Sequence, residues 1–410
     1  MPLSIVVTLA LVLTALWFAL ESGGDAPRPP APLRPDPVGR IAERVEQERG
    51  LRFATAPAVR TVTPAHARAE AAATLDEDYP PARRAAEAQT LAMLGLLPPG
   101  FDLGEATLGT FDAAVAGYYD PRSKALRVIE GGQTGNRVLY ETTVAHELTH
   151  ALEDEHFDFD LGRMAAGGDA ALAYTALIEG SATVAMTRYL TERFDAEETL
   201  GATLGSALAG TGTAGLPPFL TAQLLFPYTA GERFVARLRA FGGGGWDVVD
   251  AAMRFRPPAS TEQVLHPGKY LRVEQPDHVA APSLPGWRRI DRSTLGEWVT
   301  ARVLARAGGT AAPRAAAGWG GDASVLLGRG EERALGVRWR WDTRRDAREF
   351  TAALRAWAAE GMPGSERLAG GAWRGRDGVA VVGASGDSVT LAVAPDLATA
   401  RALALRRPGR

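Results

Sequence analysis

Residues 146–150 read His-Glu-Leu-Thr-His (HELTH), and this string decides how the rest of the chain is read. On an α-helix, residues four apart differ by about 40° of rotation, so His146 and His150 project from one face and can hold one ion through their imidazole nitrogens. Glu147 sits beside the first of them. In this motif it acts as general base, taking a proton from a zinc-bound water and passing it to a leaving amine. With only six histidines in 410 residues, composition predicts roughly 0.006 chance occurrences of such a pattern. Val144, Leu148 and Leu152 recur every four residues, about 120° to 160° from the histidines, and give the helix a packing face separate from its metal face. The chain has no cysteine. A metal must therefore be held by His, Asp or Glu, and disulfides and cysteine nucleophiles are excluded.

A catalytic zinc needs a third protein ligand, and two residues compete for the place. His156 completes the spacing 146, 150, 156, but that arrangement calls for a helix-breaking glycine at 153, where this chain has Glu153. On a continuing helix His156 points about 120° away from His150. It then reads as a polar residue at a helix end, where a cation is favoured. Glu179, in LIEGSAT, lies on the next long helix among Leu172, Thr175, Ala176, Ala182, Thr183, Met186 and Leu190, all uncharged. A carboxylate on such a core-facing stripe needs a cation or strong donors. Zinc or a distant arginine would meet that need. For a donor to a developing oxyanion, His266 is the candidate, presented after a capped helix and before Pro267, while Tyr228 and Tyr270 read as core or rim aromatics. The acidic run Glu153, Asp154, Glu155, Asp158 and Asp160 lacks a calcium-loop pattern and reads as a solvated turn.

Outward from this centre, helical spacing predicts helices at Val38 to Gly50, Pro64 to Leu75, Pro81 to Leu96, Asn136 to Glu155, Asp169 to Phe194, Ala230 to Phe241 and Trp246 to Phe255. Gly117 to Ile129 reads as a hairpin ending in a strand at Ala125 to Ile129. Residues 201–225, mostly Gly, Ala, Leu and Thr without charge, are either a mobile cover or a packed connection. Ser260 and Gln263 fit a capping box for a short helix that Pro267 ends. From about Gly286 the pattern changes to strands at Ala323 to Leu327, Ala334 to Trp341, Gly378 to Val382 and Ser388 to Val393, with helices at Arg344 to Ala359 and Leu397 to Leu405. Trp339, Trp341 and Trp357 fit its core.

At the other end, Leu3 to Leu20 carries no charge and would span ~27 Å as a helix, near the thickness of a bilayer core. Residues 1–24 are thus expected to be a membrane anchor or signal segment, and the proline-rich 25–37 a linker. The expectation is a single N-terminal span as the membrane partner, with the catalytic part extracytoplasmic; secretion is the alternative. Net charge is −3 without a basic stripe, so nucleic acid is not expected as a partner.

HELTHALEDEHFDFD followed by ALIEGSAT resembles the gluzincin group of zincin metallopeptidases, and more closely an uncharacterised bacterial family of membrane-anchored or secreted HExxH proteins. The likeness extends through GYYDP, FPYTAGERFV, PPASTEQVLHPGKY and AAGWGGD, over most of the chain beyond the N-terminal segment. It implies an α+β fold, with a zincin-like metallopeptidase domain over 38–285 and a smaller α+β domain over 286–410. It further implies Zn2+ held by His146, His150 and Glu179, with Glu147 as base in the hydrolysis of a peptide or protein substrate. That group often has an Asp four residues after the ligand Glu, supporting a histidine; here the position is Thr183. Zincins also place an edge strand before the zinc helix, here Ala125 to Ile129, to pair with an extended peptide. From another class, the same residues would suit a catalytically inactive, zinc-stabilised cell-surface binding protein.

Overall fold

A computed structural model describes residues 37–55, 57–114, 117–130, 137–195, 198–199, 215–308 and 310–405. The chain opens with α1 (Val38–Arg49), β1 (Ala58–Val62), α2 (Pro64–Asp78), α3 (Pro81–Met93), α4 (Leu103–Ala114), β2 (Gly117–Asp120) and β3 (Ala125–Ile129). Next come α5 (Arg137–Phe157), α6 (Leu161–Ala166), α7 (Gly168–Arg193), α8 (Pro218–Phe241), α9 (Asp247–Phe255), α10 (Thr261–Leu265) and α11 (Pro267–Leu271). The C-terminal part holds β4 (Arg288–Ser293), α12 (Gly296–Ala305), α13 (Ala312–Ala316), β5 (Trp319–Arg329), β6 (Glu332–Trp341) and α14 (Arg344–Ala356). It ends with β7 (Glu366–Leu368), β8 (Ala372–Gly375), β9 (Gly378–Ser385), β10 (Ser388–Ala394) and α15 (Leu397–Leu405). The fold is mixed α+β.

Two compact units form. Among the described residues, the first takes those of 37–79, 104–166 and 173–258; the second takes those of 80–103, 167–172 and 259–405. By packing contacts, the main stretch of the second unit starts at Ala259, ahead of the change in sequence pattern near Gly286. The change of sequence character at 286 marks the onset of strands, whereas α10 and α11 already pack with the C-terminal body, and α3 joins it by packing on β4.

In the first unit a three-stranded sheet has the order β1-β3-β2, with β1 parallel and β2 antiparallel to β3. The expectation that Ala125 to Ile129 is an edge strand is therefore corrected. β3 lies in the middle, and β2 forms an edge. The sequence hid β1 because Ala58 to Thr61 are all exposed and show no alternation. Val144, Leu148 and Leu152 of α5 pack with Ile41 and Val45 of α1 and Leu126 of β3. Burying a side chain of this size contributes roughly 1.5–3 kcal/mol, so this face fixes how α5 is turned.

Two glycines bring α7 and α8 into backbone contact. A Cβ on Gly180 would collide with the Gly231 carbonyl, and one on Gly231 with the Ala176 carbonyl. α8 starts at Pro218 rather than Ala230 and runs through Pro227. Residues 201–214, part of the segment read as cover or connection, lie outside the described residues.

The second unit is built on a seven-stranded antiparallel sheet of order β4-β5-β6-β10-β9-β8-β7. Trp339 and Trp341, on one face of β6, both pack on Phe350 of α14, with ring centroids 4.9 and 4.3 Å apart.

No helix among the described residues is long and apolar enough to cross a membrane. Leu3 to Leu20 and the linker residues 25–36 lie outside them. The expected single-span anchor, and the location built on it, are withdrawn.

Candidate metal centre

α5 runs unbroken to Phe157, so the residues of HELTH keep helical spacing and both histidines face the same neighbour, Glu179 of α7. His146 Nε2 lies 3.1 Å from His150 Nε2. Glu179 Oε2 completes a triangle, 3.1 Å from His146 Nε2 and 3.4 Å from His150 Nε2. The three residues are 3%, 2% and 0% exposed, so water does not screen their interaction.

A shared proton joins two corners of such a triangle, whereas one cation can meet all three. Ligands at about 2.0–2.2 Å in tetrahedral array stand roughly 3.3–3.6 Å apart, close to the spacing here. Two imidazoles with one carboxylate are a known catalytic zinc donor set, whereas calcium and magnesium prefer oxygen alone. The residues fit Zn2+. Both Nδ1 atoms, and Oε1 of Glu179, are buried without a hydrogen-bond partner among the described residues. Thr183, one turn beyond Glu179, leaves its own hydroxyl unpaired as well, so it does not take the place of a histidine-supporting Asp.

The electrostatics follow from burial and proximity. Burial opposes charge on Glu179, yet the two imidazoles outweigh it and hold the carboxylate well below its usual range. For His150 burial again opposes charge, and the Glu179, Glu147 and Glu153 carboxylates overcome it and raise its affinity for a proton. His146 goes the other way because burial dominates. The carboxyl of Glu147 is pushed well up by burial, against the pull of His150 and of the Tyr119 N–H.

Glu147 is held by the sheet. The Tyr119 N–H, on β2, donates to Oε2 at 2.8 Å, while Oε1 is buried and unpaired. That contact fixes which oxygen is left to act.

Tyr228 is the residue that sequence reading placed elsewhere. Its ring lies 6.2 Å from that of His146, and its hydroxyl interacts with the Glu179 carboxylate. Burial, then the Glu179 and Glu147 charges, push this phenol well up, so it stays protonated. The available signal was the pair of glycines: Gly180 follows Glu179 directly, and Gly231 comes three residues after Tyr228, where α7 and α8 touch.

His156 and His266 have partners of their own. His156, near the end of α5, faces the Arg52 carbonyl at 2.9 Å. His266 and the buried Tyr270 belong to the second unit, where His266 Nε2 faces Glu297 Oε1 at 2.9 Å. His266 is thus engaged by Glu297 and belongs to a different unit from the His146–His150 pair. The acidic run is corrected too, since α5 carries its first three members, Glu153 to Glu155, and turns two of them inward. Asp154 is buried and accepts from the Tyr119 hydroxyl and Lys124 Nζ, both at 2.8 Å. Glu153 is buried against Arg49 and Ser181.

A second group with metal-ligand spacing is Glu262, Glu274 and Asp342. Its centre is taken by the Lys269 ammonium, at 2.6, 2.7 and 2.6 Å from the three. That group is an ion-pair cluster.

Residues 284–404 match a family described as a domain of unknown function (DUF8575). The match covers most of the second unit and none of the histidine cluster. No curated protein and no solved structure matches the chain.

Proposed function

We propose that the first unit is a gluzincin-type zinc peptidase on a zincin-like α+β scaffold, hydrolysing peptide bonds in a peptide or protein substrate. The observation that supports this best is the buried triangle of His146, His150 and Glu179 with Glu147 in the same helical turn. These three residues would hold Zn2+. When bound, zinc supplies Lewis acidity, making water acidic near neutral pH and polarising a carbonyl oxygen. Glu147, tethered through Oε2, keeps Oε1 to accept a proton from water and return it to the leaving amine. Its burial raises its hold on that proton. The Tyr228 hydroxyl, kept protonated and engaged with Glu179, would have to turn from that carboxylate to donate to negative charge developing on the carbonyl oxygen.

Glu147→Gln keeps the Tyr119 contact and removes the base. Cleavage of a peptide library is expected to fall by at least roughly 100-fold, with zinc content unchanged; cleavage equal to wild type would sink the assignment. One observation favours a second reading, a zinc-stabilised binding protein without turnover. Glu147 and Tyr228 are only 1% and 2% exposed, so the site is closed. A wild type that binds zinc yet cleaves nothing across the library would put that reading first.

A further inference from the structure

We propose that Glu153 is a positioning residue that, through Ser181 and Arg49, fixes the spacing of α5 and α7 and thereby the affinity of His146, His150 and Glu179 for a divalent metal. This rests on the metal reading above. Glu153 lies three residues beyond His150 on α5, and Ser181 lies two beyond Glu179 on α7. Oε1 of Glu153 accepts from Ser181 Oγ at 2.5 Å and from Arg49 Nε at 2.6 Å. A direct bond thus joins the two helices about one turn from the ligands they carry. None of the three residues is among those ligands.

The burial of this bridge argues for a purpose beyond solubility. Glu153 and Ser181 are 0% exposed and Arg49 1%, and a buried ion pair is often no more stabilising than apolar residues of the same volume. What such a pair does supply is direction. Arg49 is itself immobilised: Nη2 donates to Asp250 Oδ1 at 2.8 Å, and the guanidinium stacks 4.0 Å from the Trp246 ring. Trp246 is pinned in turn, its Nε1 donating to the Glu48 carbonyl at 2.7 Å, with Arg239 stacked on it at 4.2 Å. α7 is therefore held to α5 by the Glu153 bridge and to α8 by the Gly180–Gly231 contact. Glu179 immediately precedes both fixings on α7. Its distance to the histidines is set by both.

The test is the zinc dissociation constant, by competition with a chromophoric chelator, together with the thermal midpoint of the metal-free protein. The variants are Ser181→Ala, Glu153→Gln and the double Arg49→Met/Glu153→Gln. Each is expected to weaken zinc roughly 10-fold to 100-fold, the range for residues that orient ligands without touching the metal. Glu153→Gln leaves Arg49 with Asp250 as its remaining counter-charge and lowers the midpoint. The double variant removes both charges and recovers the midpoint without recovering affinity. Wild-type zinc affinity in the folded Ser181→Ala and double variants, whatever their midpoints, would make the bridge merely structural and overturn the proposal. If the wild type itself binds no zinc, the metal reading falls and this proposal with it.

Discussion

In the second unit, three carboxylates gather around an ammonium that the chain supplies, Lys269 standing 2.6–2.7 Å from Glu262, Glu274 and Asp342. In the first unit, Glu179 is fully buried and meets two imidazoles at 3.1 and 3.4 Å. Both sites have the spacing of metal ligands. A buried carboxylate is costly until positive charge reaches it, and the two regions differ in where that charge comes from. Lys269 carries its own. Two imidazoles can share a proton with Glu179, but a dication would satisfy all three atoms together. A third case lies in the second unit, where Asp169 and Asp322 are buried against helix N-termini. Asp169 accepts from the Thr261 N–H and hydroxyl, and Asp322 from the N–H groups of Leu295 and Gly296. Burial pushes Asp169 up to about 7 and Asp322 up to about 6. Here a proton can do what Lys269 does at its own cluster.

The contrast can be broken in three ways. The largest effect is expected from Gly180→Ala, because the new Cβ meets backbone that cannot rotate away. About 3 kcal/mol of stability should be lost, and zinc affinity with it, as α7 moves off α8 and takes Glu179 along. Denaturant unfolding and a zinc titration measure both; unchanged zinc affinity would show that this helix contact does not set the triangle. Lys269→Met comes next and leaves Glu262 and Asp342 without their ammonium, and Glu274 with Arg272 alone. About 2 kcal/mol should be lost, a figure kept modest because the side chains of Glu274 and Asp342 are 37% and 35% exposed and partly screened. Millimolar calcium should restore part of it. A loss that neither calcium nor magnesium relieves would mean that the cluster needs the lysine's shape rather than its charge.

The smallest effect is a pH dependence. The pKa of Asp169 is raised on folding, so the folded chain keeps a proton that the unfolded chain has released. The stability this contributes is complete below about pH 4 and is lost as pH rises through the folded value of about 7. Between pH 6 and 7 the loss should be about 1 kcal/mol. Asp169→Asn keeps the acceptor and should flatten that part of the stability curve; an identical slope in wild type and variant would assign the proton elsewhere.

What the sequence made legible follows from how local each signal is. The paired histidines, Glu147 and the packing stripe of α5 are set by helical geometry within one segment, and Glu179 by an uncharged stripe on the next. Glu153 and Asp154 looked solvated because their partners are far along the chain, Arg49 being 104 positions from Glu153. Tyr228 reaches Glu179 through a glycine contact between two helices, which no single-helix pattern reveals. His266 sits after a good cap, but a cap says nothing about which unit will hold it. β1 and β4 escaped for one reason. Both are sheet-edge strands, β1 exposed at four of five residues and β4 with none buried, so neither carries the alternation that marks a half-buried strand.

The central claim is that the first unit takes its positive charge from a metal. Zinc per chain, measured by elemental analysis after exhaustive dialysis, tests it most directly. We expect one ion per chain in the wild type and in His156→Ala, and none retained in His150→Ala or Glu179→Ala. A wild type that holds no zinc, or a Glu179→Ala variant that keeps its full share while His156→Ala loses it, would contradict the account.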